Sequence, residues 1–162
     1  MSGAFLARVH DRPGALERLV GLLRRRAFAV RRLSVGLGDD GALEVLLRVD
    51  DANATGDRVR AELLALHDVI DVRDLADPHT PAVTRELLLA WIRPDAAPAA
   101  TGSARVVAVA GGQCLLELTG SPDEIDAVIA RMGSHGMLSS SVRSGEVAAP
   151  VRTATNPERS DA

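Results

Sequence analysis

The period of the apolar positions changes several times along the first half of this chain. Residues 5–10 read as a short strand, after which Leu16, Leu19, Val20 and Leu23 recur at helical spacing and leave Glu17, Arg18, Arg24 and Arg25 toward water. The helix is expected to end near Ala27. Residues 28–37 read as a second strand, Gly38-Asp39-Asp40-Gly41 as a hairpin turn, and Leu43, Val45, Leu47 and Val49 alternate as a third strand. Val59, Leu63 and Leu66 mark a second helix and residues 69–75 a fourth strand, before Asp77-Pro78-His79-Thr80-Pro81 breaks the pattern. The order is βαββαβ, with a hairpin between two helices.

The second half repeats this logic less completely. Residues 86–92 are strongly apolar, but residues 93–103 form a Pro/Ala/Gly loop where a βαβ unit needs a helix. Residues 106–109 and 114–118 make a hairpin around Gly111-Gly112. Ser121-Pro122-Asp123-Glu124 is a capping box with proline at the first helical position, followed by Ile125, Val128, Ile129 and Met132 on one helical face. Residues 137–142 read as a last strand. Beyond about residue 149 the chain is rich in Pro, Ser, Thr and charge, with too little apolar surface to offset ordering entropy, and a disordered tail is expected there.

Between the first strand and the first helix stands Asp11-Arg12-Pro13-Gly14-Ala15-Leu16. Pro13 pre-sets a helical φ where its missing N–H costs nothing, and Gly14 lets another molecule approach the backbone. The first helical N–H groups are then free for a carboxylate. The same residues also serve as an ordinary helix start.

Composition narrows the function classes. With 162 residues, 46% apolar content and a formal net charge of −3, the chain is long enough for two small globular domains and has no apolar run near the roughly 20 residues of a membrane span. No basic region followed by an apolar stretch opens the chain, so no secretory leader is expected and a cytoplasmic site is. All 19 basic residues are arginine, which excludes a Schiff-base lysine and a P-loop lysine. The single Cys114 excludes an internal disulfide and a multi-cysteine metal site, and its apolar run marks it as a buried small hydrophobe. Arg24-Arg25-Arg26 and Arg31-Arg32 form a basic cluster, but the chain is acidic overall with three aromatic residues, which argues against nucleic-acid binding. A helix C-terminus that prefers positive charge accounts for the first three arginines. His10, His67, His79 and His135 lie far apart with no metal-ligand spacing, and no nucleophile elbow or dinucleotide fingerprint is present.

Order and spacing together resemble one family. Gly14-Ala15-Leu16 with Leu19-Val20-Gly21-Leu22 is similar to the first helix of the small regulatory subunits of acetolactate (acetohydroxyacid) synthase, and Arg32-Leu33-Ser34-Val35 to their second strand. Asp68-Val69-Ile70-Asp71-Val72 resembles the strand that closes their N-terminal ACT domain. Residues 84–89 resemble the segment opening their C-terminal domain, and Arg143-Ser144-Gly145 their closing motif. The resemblance implies an α+β fold of two ferredoxin-like βαββαβ units: an ACT domain over residues 3–78, a smaller, incomplete unit over 83–149, and a tail over 150–162. It also implies a non-catalytic chain that binds a large catalytic subunit carrying thiamine diphosphate, Mg²⁺ and FAD, with no cofactor, nucleic acid or membrane of its own. The role implied is regulation of valine, leucine and isoleucine biosynthesis.

By the same resemblance, ACT domains pair into a homodimer and a branched-chain amino acid lies between the first turn of one subunit and the edge of its neighbour. The N–H groups of Gly14, Ala15 and Leu16, after Pro13, would receive the carboxylate, Asp11 the ammonium, and Phe28, Val30 and Leu33 the side chain, with Ala29 also in the site. Two departures bear on this site. Ala27-Phe28-Ala29 stands where the family usually has Gly-Tyr-Asn, so Ala29 offers no amide, and Asp11 stands where asparagine is common. Two other readings compete: a free-standing ACT-type amino-acid sensor without a catalytic partner, and a small enzyme using His10 and Asp11 as an acid–base pair. The second is disfavoured because neighbours on a strand point to opposite faces.

Overall fold

The computed structural model describes residues 2–50, 55–77, 79, 82–96 and 104–150. The first unit runs β1 (Ser2–Val9), α1 (Ala15–Arg25), β2 (Val30–Leu37), β3 (Leu43–Asp50), α2 (Gly56–Leu64) and β4 (Val69–Asp74). Its strands form an antiparallel sheet in the order β2-β3-β1-β4. Alternation along the strands sends Phe5, Ala7, Val9, Val45, Leu47, Val49 and Val72 to one face, where they join Ala15, Leu19, Leu22 and Leu23 of α1 and Val59 and Leu63 of α2 in one core. Val20, expected on the buried face of α1, is instead 46% exposed, and Leu22 takes the inner position.

The second unit continues with β5 (Ala82–Ile92), a 3₁₀ turn (Pro94–Ala96), β6 (Arg105–Ala110), β7 (Gln113–Gly120), α3 (Pro122–Ser134), β8 (Leu138–Arg143) and β9 (Val147–Pro150). Its strand order β6-β7-β5-β8 repeats that of the first sheet. Leu88, Ala90, Ile92, Cys114, Leu116 and Leu118 pack under Ile125 and Met132 of α3. The capping box expected at the start of α3 is complete: Ser121 Oγ accepts from Glu124 N–H, and Glu124 Oε2 accepts from Ser121 N–H at 2.7 Å. Gly111 and Gly112 turn the β6–β7 hairpin at φ +58° and +71°. Within the stretch 93–103, expected to be a loop, the structure places a 3₁₀ turn at Pro94–Ala96, and residues 97–103 lie outside the described chain. On β6, Val106 and Val109 stand 47% and 69% exposed.

Two boundaries differ from the sequence expectation for the same reason. β5 begins at Ala82, before the apolar run, because Ala82–Arg85 pair with β9 at Val147–Pro150. Pro150 therefore still belongs to a strand, whereas residues 151–162, also expected to be tail, lie outside the described chain. Strand pairing at a distance supplied order that local composition does not show.

The uncovered face of the first sheet meets the second unit at a seam of charges. Arg32 on β2 pairs with Glu86 on β5, and Arg143 at the end of β8 donates to the same carboxylate. Arg48 on β3 makes a two-bond pair with Glu146, at 2.7 and 3.0 Å. Both glutamates are 1% exposed. Between them, Gly145 rests against Ser34, where a Cβ would overlap Ser34 Oγ and stand 3.1 Å from Ser34 Cβ.

Candidate functional site at the first turn

β1 hands the chain to α1 through a tight turn in which Arg12 N–H donates to His10 O at 2.9 Å and Ala15 N–H to Arg12 O at 3.1 Å. Gly14 is the N-cap, with φ +80°, a left-handed conformation natural to glycine. Among the described residues no side chain caps this helix. Asp11 is exposed and is not consumed as a cap, so it keeps the freedom to meet a cation. Of the three N–H groups expected to receive an anion, that of Ala15 is already engaged by Arg12 O. Leu16 and Glu17 offer first-turn amides that no side-chain cap occupies.

Arg18 and Asp68 underpin this turn, and sequence reasoning assigned neither to the site. Arg18 donates Nε–H to Asp68 Oδ2 at 2.7 Å and Nη2–H to Pro13 O at 3.3 Å. A Cβ on Gly14 would lie 2.7 Å from Arg18 Nη1, so the glycine is required by contact as well as by φ. Asp68 is 2% exposed, with His67 Nε2 3.1 Å from its Oδ1. The hydrogen bond from Arg18 holds the Asp68 carboxyl below its ordinary value; burial opposes this, and the charges of Arg18 and His67 support it. The only sequence signal was an acidic residue in the loop before β4, which does not announce a partner fifty positions away.

The segment after α1 explains the fate of the expected pocket residues. Phe28 N–H donates to Leu23 O and Ala27 N–H to Arg24 O, the paired bonds of a Schellman motif. Ala27 fills its left-handed position at φ +55°, where glycine is preferred. The motif turns Phe28 inward, where it is 7% exposed within the first core, with the Arg58 guanidinium 5.6 Å from its ring centroid. Phe28 is therefore a core residue and not an open pocket wall. Ala29 is exposed, and its carbonyl accepts from Asp50 N–H at 2.9 Å.

Val30 and Leu33, each 39% exposed, lie on edge strand β2 together with Val35 at 45% and Leu37 at 69%. Strand register places them relative to the turn. Val9, Leu43 and Leu37 share one end of the sheet, whereas Gly3, Val49 and Val30 share the other. The turn follows Val9. Val30 is thus separated from it by the length of β2, about 24 Å at a rise of 3.4 Å per residue. Within one chain the structure does not bring Asp11, Gly14 and Leu16 to Val30.

The remaining sequence candidates fall away from any site. Arg26 pairs with Glu62 at 2.9 Å and Arg31 with Asp50 at 2.9 Å. His135 Nδ1 lies 2.8 Å from Arg131 O in its own helix end. Among the described residues no group of three or more His, Cys, Asp or Glu side chains is arranged to hold a metal, and no helix is long and apolar enough to cross a membrane.

Comparison with known proteins gives a consistent result. Residues 11–72 match the family model described as an ACT domain, and residues 99–150 that described as the small subunit of acetolactate synthase. A probable acetolactate synthase small subunit of Archaeoglobus fulgidus is 31% identical over 150 residues, covering 86% of this chain and 91% of the relative. The acetolactate synthase small subunit of Haemophilus influenzae is 31% identical over 152 residues, covering 85% and 88%. In fold, the crystal structure of the acetolactate synthase small subunit from Thermotoga maritima superposes with a TM-score of 0.76 over 94% of this chain and 99% of that one, at 20% identity.

Proposed function

The chain belongs to the acetolactate synthase small subunits, and from that premise we propose that it binds a large catalytic subunit and sets that subunit's rate in response to a branched-chain amino acid. It is a regulatory, non-catalytic subunit. A free-standing sensor is not favoured, because the small-subunit relatives match across both units and not the ACT domain alone. Thiamine diphosphate, Mg²⁺ and FAD belong, on this reading, to the catalytic partner.

One observation carries the effector part of the reading. The turn that can receive a carboxylate and the start of β2, where Val30 can receive a side chain, lie at opposite ends of one sheet. A second copy that adds its own β2 antiparallel to this one, across a two-fold axis, reverses that separation. It brings the partner's β2 start to the end of the sheet at which this chain's turn lies. The edge is suited to such pairing, since among the described residues no strand pairs with β2 on its outer side, and it carries Leu33, Val35 and Leu37 exposed. The bound amino acid would then span two subunits, with its carboxylate on the Leu16 and Glu17 amides, its ammonium on Asp11 and its side chain against the partner's Val30 and Leu33.

The decisive experiment is reconstitution. The purified chain, supplied with pyruvate, thiamine diphosphate and Mg²⁺, is expected to form no acetolactate, and its addition to the cognate large subunit is expected to raise that subunit's rate. Turnover by the isolated chain, or no effect on the large subunit, defeats the reading.

A further inference from the structure

The seam between the two sheets meets the strand on which the proposed effector site depends. β2 alternates in the usual way. Leu33 and Val35 pair across to Leu47 and Val45 on the helix-covered side, whereas Arg32 and Ser34 pair across to Arg48 and Leu46 on the other. One strand thus offers its outer edge to a partner copy and its inner-facing polar residues to the second unit.

Arg32 is the strongest of these contacts. Its Nη1 donates to Glu86 Oε1, and its Nη2 lies 3.6 Å from Asp126 Oδ1. Glu86 in turn accepts from Arg143 through Oε2, and Arg143 also donates to Asp126. A single side chain of the first unit therefore rests on β5 and α3 directly, and on β8 through Glu86. Neither Glu86 nor Glu146 has water to fall back on, with side chains 0% and 1% exposed. Separating Glu146 from Arg48 strands a buried charge, and separating Glu86 from Arg32 leaves it with Arg143 as its one cation, which makes these pairs far more demanding of geometry than surface pairs. Beside them a cleft of about 420 Å³ opens, lined by Arg31, Arg32, Arg48 and Asp50 from the first unit and Asp123 and Asp126 from α3.

We propose that Arg32 is a positioning residue that couples the two units, tying β2 to Glu86 so that a displacement of β2 made at its open edge is delivered to β5, α3 and β8. The role rests on the regulatory reading above. It adds a physical route: the edge strand that completes the effector site is the strand whose inner face holds the second unit. Arg48 with Glu146 anchors the same seam one strand further in, and fixes the point about which β2 can shift.

The test uses the full-length chain and two readouts. In scanning calorimetry the wild type is expected to unfold in one endotherm, and the double variant Arg32→Gln with Glu86→Gln, which removes both charges together, in two. Two endotherms in the wild type, or one in the double variant, overturns the coupling. If the double variant does not fold, Gly145→Ala loosens the same seam against Ser34 without touching a charge, and its single or split endotherm decides in the same way. In the reconstituted holoenzyme, with valine as the probe, the double variant should bind valine within threefold of the wild type in calorimetric titration, while the rate response to valine falls at least tenfold. An undiminished response overturns the role of Arg32. If the wild type itself binds no branched-chain amino acid, the effector reading fails and the unfolding experiment still decides the coupling.

Discussion

Arg18 reaches back over the first turn of its own helix to donate Nε–H to Asp68 Oδ2 at 2.7 Å, joining the start of α1 to the loop before β4. The Asp68 backbone belongs to the same junction through its carbonyl, which accepts from His10 N–H at 2.8 Å. The effector turn is therefore braced by a charged pair and a backbone bond that end on one residue.

This pair makes stability pH-dependent on the acid side. Asp68 titrates below its ordinary value in the fold because of the Arg18 hydrogen bond, and Glu124 does so because it accepts the Ser121 backbone N–H. A carboxyl whose folded pKa is depressed contributes stability that is fully present above the unfolded value, near 4, and is lost as pH falls through the folded value. The midpoint of thermal unfolding should fall steeply below about pH 4 in the wild type. Asp68→Asn should be less stable at pH 7 and show a shallower acid limb, measured by circular dichroism between pH 2.5 and 7. Parallel curves for the two proteins would contradict the assignment.

Ala27 supplies a second prediction. A left-handed alanine costs about 1–2 kcal/mol, and glycine avoids that cost while giving back part of it in unfolded-chain entropy. Ala27→Gly should therefore stabilise the first unit by about 0.5–1 kcal/mol, seen as a higher urea midpoint at unchanged slope. Because Ala27 sits at φ +55° within a complete Schellman motif, replacement by a β-branched residue should destabilise instead.

These two residues also show what the sequence could and could not reveal. Helical and alternating periods located the elements of both units, because one face of each is buried against a single core, and the Ser121 capping box announced its own hydrogen bonds. Local signals failed where partners are distant. β9 is ordered by Ala82–Arg85, and Asp68 gains its role from Arg18. Phe28 reads as a strand residue lining the effector pocket until the Schellman turn, forced by the end of α1, points it into the core. The seam carboxylates Glu86 and Glu146 look like surface charges in a sequence, since only tertiary pairing with Arg32, Arg48 and Arg143 permits their burial.

The two edges of the first sheet predict how copies pair. On β4 the edge is partly occupied, since Arg60 Nε–H donates to Val72 O at 3.1 Å. On β2 the apolar residues Leu33, Val35 and Leu37 are exposed along the edge strand. Pairing should therefore use β2, giving a homodimer in light scattering at micromolar concentration. Val35→Lys places a charge on that edge and should shift the population to monomer with the fold intact by circular dichroism. A monomeric wild type would refute the pairing itself, and a Val35→Lys variant that stays dimeric would place the contact elsewhere.

The composite site makes the final prediction, in which assembly and binding must fail together. Calorimetric titration of valine, leucine and isoleucine into the wild type should give weak binding, because Ala29 offers no side-chain amide to the ligand. Asp11→Ala removes a charge-assisted hydrogen bond worth about 1.5–3 kcal/mol, and should weaken the preferred ligand roughly ten- to more than a hundredfold. Gly14→Trp should abolish binding, since any Cβ there meets Arg18 Nη1 and the residue must hold φ +80°. The discriminating variant is Val35→Lys. Its turn is untouched, so a site complete within one chain would bind as in the wild type. If the turn of one subunit needs the β2 start of the other, binding should disappear with the dimer and return when covalent cross-linking restores the pair. Retention of full affinity by the monomeric variant would show that the ligand needs no second copy.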